Sequence, residues 1–585
     1  MDASAPHGEP FSAREGVTCA ALAIALVVAE GAKGVAGVLR GELPNPDSAM
    51  RLVRLRDMLA AAAPLETVAR DGSGHGVVVQ WSHLLDSLLL LLAAPLAPWL
   101  GWEEALQWVA PGFGPLCMGA LGAALAWAVA PIAERRWRLF APLLAATALP
   151  VAAYGVPGIV HHHVLLALVA VMAAGWAGRA AIGVAGAGRR VGAWGAAGLW
   201  LSPEAVPLTL MALAAIALAC LARPGESRAA AELRRAGTSF MLLTAAAIAV
   251  DPPVADPFAP DIDRLSVMWL ALAAACCAGG WLIEQAVRQG RPAYLAAVLG
   301  AAPVMAWLAA FPAVIRGTDA PLTPAEARAF LDVIAEFQPV HVADAAQFLS
   351  GGVLAIGLAG LLARRTRSLG WCWAASCALA ILVLATQHLR FAAYSAALGA
   401  MALPVALTWC GDVLTRRREA ALVIARPALL AAFLAGPTVG AAAASLVPEA
   451  GAASRIGCPQ VPSAALLAQA AGQVVLASPG ETPDLLYRTG VRTVGSLYHR
   501  GIASYMRARA AWRSSPANAE PPSVRATEAR WVLVCRGAAR DRLVADLPPE
   551  TLQDRLERGE IPPWLQLAGA DAAGWTLWRV LEPRV

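Results

Sequence analysis

Apolar runs long enough to cross a bilayer recur along this chain from Val17 to about Ser445, separated by short clusters of arginine. A spanning helix needs roughly 20 consecutive apolar residues. Hydrocarbon offers no water to the backbone, so each run must satisfy its own N–H and C=O groups, which makes it a helix. The composition agrees with this pattern: 58% of the 585 residues are hydrophobic, 15% are charged and the mean hydropathy is +0.57. Soluble domains are nearer half apolar and a quarter charged. A net charge of +5 is too small in a chain of this length to mark a nucleic-acid partner. The first apolar run, 17–30, is followed by no small-residue cleavage site and reads as a retained span.

The arginine clusters dictate a topology. They are Glu134 to Arg138, Arg189-Arg190, Arg223 to Arg235, Arg288 to Arg291, Arg364 to Arg367 and Arg416 to Arg418. The positive-inside rule places all of them in the cytoplasm. That predicts thirteen spans in 1–445, at about 17–37, 105–133, 138–153, 163–186, a hairpin over 191–222, then 236–251, 265–287, 292–314, 347–363, 369–386, 391–414 and 421–445. The N-terminus is then inside and the C-terminus outside. Long outer loops cover 38–104 and 315–346. The stretch "SHLLDSLLLLLAAPLAPWL" (82–100) cannot be a further span, because Arg135 and Arg136 would then fall outside. It is expected to lie along the outer surface. Residues 446–585 alternate short β-like runs ("GQVVLAS", "RTVGSLYH", "RWVLVC", "GWTLWRVLE") with a helical pattern ("PPETLQDRLERGE"). This predicts a small periplasmic α/β domain. The expected fold class is an α-helical polytopic membrane protein with that domain at its C-terminus. The ten cysteines show no metal-ligand spacing; Cys458 and Cys535, alone in the polar part, are placed to form a disulfide in an oxidising compartment.

This topology gathers the chemically capable residues on the outer side. They are Asp47 and Arg51, Arg54 and Arg56 in the first loop, His161-His162-His163 before the fourth span, and Glu204 at the hairpin tip. Glu336 and His341 follow in the second long loop, then His388, Arg390 and Tyr394, and finally Tyr498-His499-Arg500 in the C-terminal part. Ionisable groups at span ends are costly unless paired or hydrated, so they are functional candidates. Plainer readings stand beside these. The three loop arginines also fit a solvated helix face, Glu204 a hairpin cap and Arg390 an interfacial anchor. Successive side chains diverge in both helix and strand, so at most two of the three histidines are expected to share a site. Carboxylates with imidazoles suit a divalent cation, which acts as a Lewis acid toward a leaving group. Arginine matches phosphate through paired hydrogen bonds. The combination points to group transfer from a polyprenyl phosphate carrier.

Several segments, in order, carry a resemblance: "PDSAMRLVRLRD", "QWSHLLD", "PGIVHHHVLLAL", "SPEAVP", "IAEFQP", "LRFAAY", "DLLYRTGVRTVGSLYHRG" and "IPPWL". With the thirteen-span map, the chain resembles the catalytic subunit of oligosaccharyltransferase, of the GT-C glycosyltransferase superfamily. It resembles more closely a group of uncharacterised bacterial GT-C-like membrane proteins. The resemblance implies that Asp47 is the catalytic first-loop carboxylate and a metal ligand. His161 and His163 stand where a second acidic motif holds the metal. Glu336 matches the acidic residue of the loop between spans 9 and 10, and Arg390 a basic residue at the lipid phosphate. Arg51, Tyr394, His499 and Arg500 complete the expected substrate-binding set. The implied cofactor is a divalent cation, Mn or Mg.

Two departures from the family pattern stand out. Position 161 is expected to be Asp and is His, which removes a negative charge and favours Mn or Zn as the metal. The C-terminal part lacks the Trp-Trp-Asp-type motif that reads an Asn-x-Ser/Thr acceptor, which argues against asparagine glycosylation. The expected activity is transfer of a sugar from a polyprenyl-phosphate-linked donor to a glycan, lipid or protein of the cell envelope, at the periplasmic face of a bacterial inner membrane. The rival expectations are a lapsed, glycolipid-binding relative and a lipid-linked-saccharide transporter. Transporters carry internal repeats and midplane sites, neither of which the sequence shows.

Overall fold

The computed structural model describes residues 10–222, 227–331, 333–341, 344–417, 428, 462–515, 518–535 and 551–581. Among these residues ten helices are long and apolar enough to cross a membrane. They include Ala13–Leu39, Trp102–Val129, His163–Ala181, Val267–Arg288 and Leu389–Cys410. The predicted thirteenth span, apart from residue 428, and Cys458 lie outside the described residues. Cys535 is disulfide-bonded.

Two predicted spans differ from the rest. The one at 138–153 is broken into Arg135–Arg138, Phe140–Thr147 and Leu149–Ala152, with Ala148 extended at the break. Pro150 lies just beyond: it has no N–H to donate, and its ring would meet the carbonyl one turn back. The first arm of the predicted hairpin is short as expected, Ala187–Leu201. The stretch 82–100 forms only the ten-residue helix Leu84–Ala93 and the turn Ala97–Leu100. The first of these buries Leu85, Asp86, Leu89 and Ala93 while leaving Leu91 exposed, the one-sided pattern of a helix lying on the bundle.

Glycines let the bundle close. A Cβ at Gly188 would lie 1.9 Å from the Glu232 carbonyl oxygen, and one at Gly192 2.2 Å from that of Ala236. The helices Ala187–Leu201 and Ser227–Val250 therefore touch backbone to backbone, as small residues allow in membrane bundles.

The C-terminal part holds a five-stranded mixed sheet built from β3 (Val474–Leu476), β4 (Arg492–Thr493), β5 (Trp531–Cys535), β6 (Leu565–Ala570) and β7 (Trp575–Val580), in the order β4-β3-β5-β7-β6. β3 pairs in parallel with β4 and β5, and β7 antiparallel with β5 and β6. The predicted helix is Leu552–Arg558, opened by a capping box between Thr551 and Asp554 and closed by Gly559 in the left-handed region. β6 was not expected: "LQLAGA" has no hydrophobic alternation, and its pairing slips between Leu567 and Gly569. In "RTVGSLYH" only two residues are strand; the remainder leads Tyr498 toward the helical bundle.

The first loop is the socket for this domain. β1 (Thr67–Val68) and β2 (Val77–Val78) form a small hairpin beside it. Arg56 donates to the Tyr487 carbonyl at 2.7 Å, and Arg70 to those of Leu486 and Thr489 at 2.6 and 2.7 Å. Buried Asp71 accepts from Thr493 at 3.0 Å and from Ser496. The acidic loop "DPPVADPFAPDID" contributes Asp263, which takes a paired hydrogen bond from Arg500 at 2.7 and 2.6 Å and another from His499 at 2.5 Å. These contacts hold the Asp263 carboxyl far below its ordinary range despite burial.

Candidate active site

One cavity of about 380 Å³ lies where the bundle, the long loops and the C-terminal domain meet. The helix Pro46–Ala61 brings in Asp47. Asn45 caps that helix, accepting from the N–H groups of Asp47 and Ser48, and Pro46 occupies its first turn. "NPDS" is therefore a helix start with the carboxylate near the positive end of the helix dipole. Ser48 then accepts from the Val160 N–H at 2.8 Å, which docks the histidine segment against the same helix end.

All three histidines line the cavity, which corrects the expectation that at most two would converge. The three straddle a helix start: His161 precedes it, His162 caps it at φ −84°, ψ −13°, and His163 is its first residue. The rings stack at 4.4 Å (His161 on both neighbours) and 4.7 Å (His162 on His163), with Tyr154 stacked 4.5 Å from His163. One ring nitrogen from each lies within 4.8 Å of the others. His161 and His163 are buried.

A line of polar contacts runs through the site. Tyr498 donates to Asp47 Oδ1 at 2.8 Å, Asp47 Oδ2 meets His161 Nε2 at 3.0 Å, and His161 Nδ1 meets His163 Nδ1 at 2.6 Å. His163 Nε2 faces Glu204 Oε2 across 3.9 Å, and Tyr394 donates to Glu204 Oε1 at 2.9 Å. Arg390 Nη1 is 3.8 Å from Glu204 Oε2, its guanidinium lying 4.3 Å above the Phe337 ring. Tyr154 donates to Glu336 at 2.8 Å. The two carboxylates expected to act are in unlike surroundings. Burial pushes both upward. At Asp47 the hydrogen bond and charge of His161, the Tyr498 hydroxyl and Arg51 outweigh it and hold the group below its ordinary value. At Glu336 burial prevails, with Asp47 adding to it, and the group is raised. The donor set fits a divalent cation: three convergent imidazoles, two carboxylates, and a buried His163 Nε2 without a hydrogen-bond partner among the described residues.

Among the sequence-predicted site residues, Asp47, His161, His163, Glu336, Arg390 and His499 all line the cavity. Three others do not. Arg51 is spaced to share the inner face of its helix with Arg54; it pairs with Asp86 at 2.9 Å and lies over Trp81 at 4.3 Å. Neither arginine belongs to a solvated face. Tyr394 is buried behind Glu204, and Arg500 is committed to Asp261 and Asp263. Glu204 and Tyr498, sequence candidates without a specific role, also line the cavity. Trp81 and Tyr154 were not among the candidates, and nothing in the sequence links Tyr154 to Glu336, 182 positions away.

No family model and no curated protein matches the chain. Solved structures do. The apo crystal structure of the Archaeoglobus fulgidus oligosaccharyltransferase aligns with a TM-score of 0.64 at 14% identity, covering 89% of this chain and 69% of that one. The same organism's oligosaccharyltransferase AglB, in complex with an inhibitory peptide and a dolichol-phosphate, aligns at 0.63 with 14% identity and the same coverage. Its complex with Zn and sulfate aligns at 0.62 and 14% identity, over 89% and 67% of the two chains. At this identity the likeness is one of architecture: the chain has the fold of a GT-C-type oligosaccharyltransferase, a helical membrane domain joined to a C-terminal sheet domain.

Proposed function

We propose that the protein is a glycosyltransferase that moves a sugar from a polyprenyl-phosphate-linked donor to an envelope acceptor, at the periplasmic face of a bacterial inner membrane. The observation that carries this reading is one cavity lined by both an ionised carboxylate at a helix start, Asp47, and a cation, Arg390. The fold neighbours support the substrate class, since one was solved with a dolichol-phosphate and a peptide.

In this mechanism Asp47 accepts the proton of an acceptor hydroxyl as its oxygen bonds to the anomeric carbon. The bond from that carbon to the lipid phosphate oxygen breaks, and the phosphate leaves with the electron pair. Arg390 stabilises the departing charge through guanidinium–phosphate hydrogen bonds. Tyr498 and His161 orient Asp47. Glu336, held by Tyr154, lines the same space and hydrogen-bonds the incoming substrate. The residues that would hold a divalent cation are His161 to His163 with Asp47 or Glu204; when bound, it would supply a Lewis acid for the leaving phosphate. The lack of a Trp-Trp-Asp-type motif directs the acceptor away from asparagine.

The test is turnover in nanodiscs with radiolabelled polyprenyl-phosphate sugars and an envelope extract, wild type beside Asp47→Ala. Label leaving the donor with wild type alone is the expected result. Transfer retained by folded Asp47→Ala refutes the role of Asp47. Donor binding without transfer by wild type establishes a binding protein instead, the alternative that the histidine at position 161 keeps open.

A further inference from the structure

The helix His163–Ala181 starts at the cavity and carries a separate group of cations at its other end. Its 19 residues reach roughly 28 Å at the helical rise, about the thickness of a bilayer's hydrocarbon core. The loop 182–186 that follows therefore lies at the membrane face opposite the candidate active site. Ile182 and Val184 are 66% and 40% exposed there.

Four arginines surround this loop. Arg179 stands in the last turn of the helix that ends at Ala181. Arg189 and Arg190 stand in the first turn of Ala187–Leu201. The stem of Arg228 would lie 2.9 Å from a Cβ at Gly183. Cations in a first turn oppose the helix dipole, so Arg189 and Arg190 do nothing for the helix that carries them. The N–H groups at that helix start are already taken by Glu232, which accepts from Gly186 at 3.1 Å and Gly188 at 2.8 Å and pairs with Arg235. None of the four arginines pairs with a carboxylate among the described residues. Arginines of the neighbouring clusters do: Arg138 with Glu15, and Arg234 and Arg288 with Glu284.

Aromatic rings hold two of the four in place. Arg179 lies over Trp127 at 4.0 Å and over Trp176 at 5.5 Å, and Arg190 lies over Trp176 at 4.2 Å. The two indoles pack on each other at 4.7 Å. Arg179 also donates to the carbonyls of Gly175 and Trp127 at 2.9 and 3.0 Å, which leaves its remaining N–H groups open. A guanidinium stacked on an indole has less freedom left to lose, so ordering it around an anion costs less.

We propose that this patch binds an anionic glycerophospholipid in the leaflet opposite the cavity, with the phosphate on Arg179 and Arg190 and the ester region against Ile182 and Val184. Guanidinium groups meet phosphate oxygens through paired hydrogen bonds, and basic pockets between helices at a membrane face suit such headgroups. The exposed apolar pair beside the cations favours a lipid over free phosphate, because apolar contact adds to the electrostatic attraction only for a lipid.

The experiment needs no turnover. Full-length protein in detergent is stripped of lipid and titrated with phosphatidylglycerol or phosphatidylcholine, and native mass spectrometry counts the lipid bound. Wild type should hold one phosphatidylglycerol about tenfold more tightly than phosphatidylcholine. Each headgroup arginine is worth about fivefold in affinity, so Arg179→Gln and Arg190→Gln should each weaken phosphatidylglycerol binding by about that factor. Arg364, exposed and on no aromatic ring among the described residues, is the control: Arg364→Gln should bind as wild type does. Equal affinity for the two lipids, an equal loss in Arg364→Gln, or wild-type affinity in Arg190→Gln overturns the proposal. Displacement of the lipid by millimolar inorganic phosphate also overturns it and marks a free-phosphate site. If Arg179→Gln does not fold, having lost its helix-end carbonyls, Arg190→Gln decides alone, since its side chain makes no internal hydrogen bond among the described residues.

Discussion

Asp86→Asn removes one negative charge from a buried cluster while keeping its shape. Its side chain is 1% exposed and is held between Arg51, 3% exposed, and Arg54, fully buried. Arg51 donates to Oδ1 at 2.9 Å and Arg54 to Oδ2. Without the carboxylate two guanidinium charges remain in a site closed to water, a loss of about 3–5 kcal/mol when one partner of a buried pair is removed. The lower end applies here. Arg54 keeps the carbonyls of Trp81 and Ser82, at 2.7 and 3.3 Å, and Arg51 keeps the face of Trp81. The expected loss is about 3 kcal/mol, read by chemical denaturation in detergent with tryptophan fluorescence as the signal. Asp86→Leu with Arg51→Met and Arg54→Met, which removes all three charges together, should recover most of it. Asp86→Asn within about 0.5 kcal/mol of wild type refutes the claim that this cluster anchors the helix carrying Asp47.

Asp484 is buried with neither carboxylate oxygen hydrogen-bonded among the described residues, and burial pushes its midpoint up to about 7. The folded form then holds its proton more tightly than the unfolded form, so stability is full below about pH 4 and falls as pH rises toward 7, by about 4 kcal/mol at most. Asp484→Asn should raise the melting temperature at pH 8 and leave it unchanged at pH 4; a gain equal at both refutes the assignment. Gly192→Ala should destabilise by about 1–3 kcal/mol, because its methyl would meet the backbone of the neighbouring helix. Thermal melting in detergent is the check, and an unchanged midpoint counts against backbone contact there.

Long apolar runs declare themselves locally. Their hydropathy and length made ten of the helices legible without any knowledge of neighbours, and the arginine clusters correctly kept 82–100 from being counted as a span. Local chemistry also marked the helix start at "NPDS" and the capped helix at 551–559. The strands of the C-terminal sheet were legible where burial made them continuously apolar, as in "WVLVC". β6 was not, because its pairing partner rather than its own pattern holds it.

The site itself divides the same way. Asp47, His161, His163, Glu336 and Arg390 are unusual enough in an apolar chain to draw notice, since ionisable groups beside a membrane are costly without a purpose. What each one faces is a property of packing. Arg51 and Arg390 look alike in sequence, yet packing turns the first inward onto Asp86 while the second lines the cavity. Asp47 and Tyr498 are 451 positions apart, and only the docking of the C-terminal domain on the first loop joins them. Hydropathy and charge act on neighbours along the chain and so determined spans, loops and candidates. Ion-pair and hydrogen-bond partners depend on contacts across the chain, and the tertiary structure alone decided them.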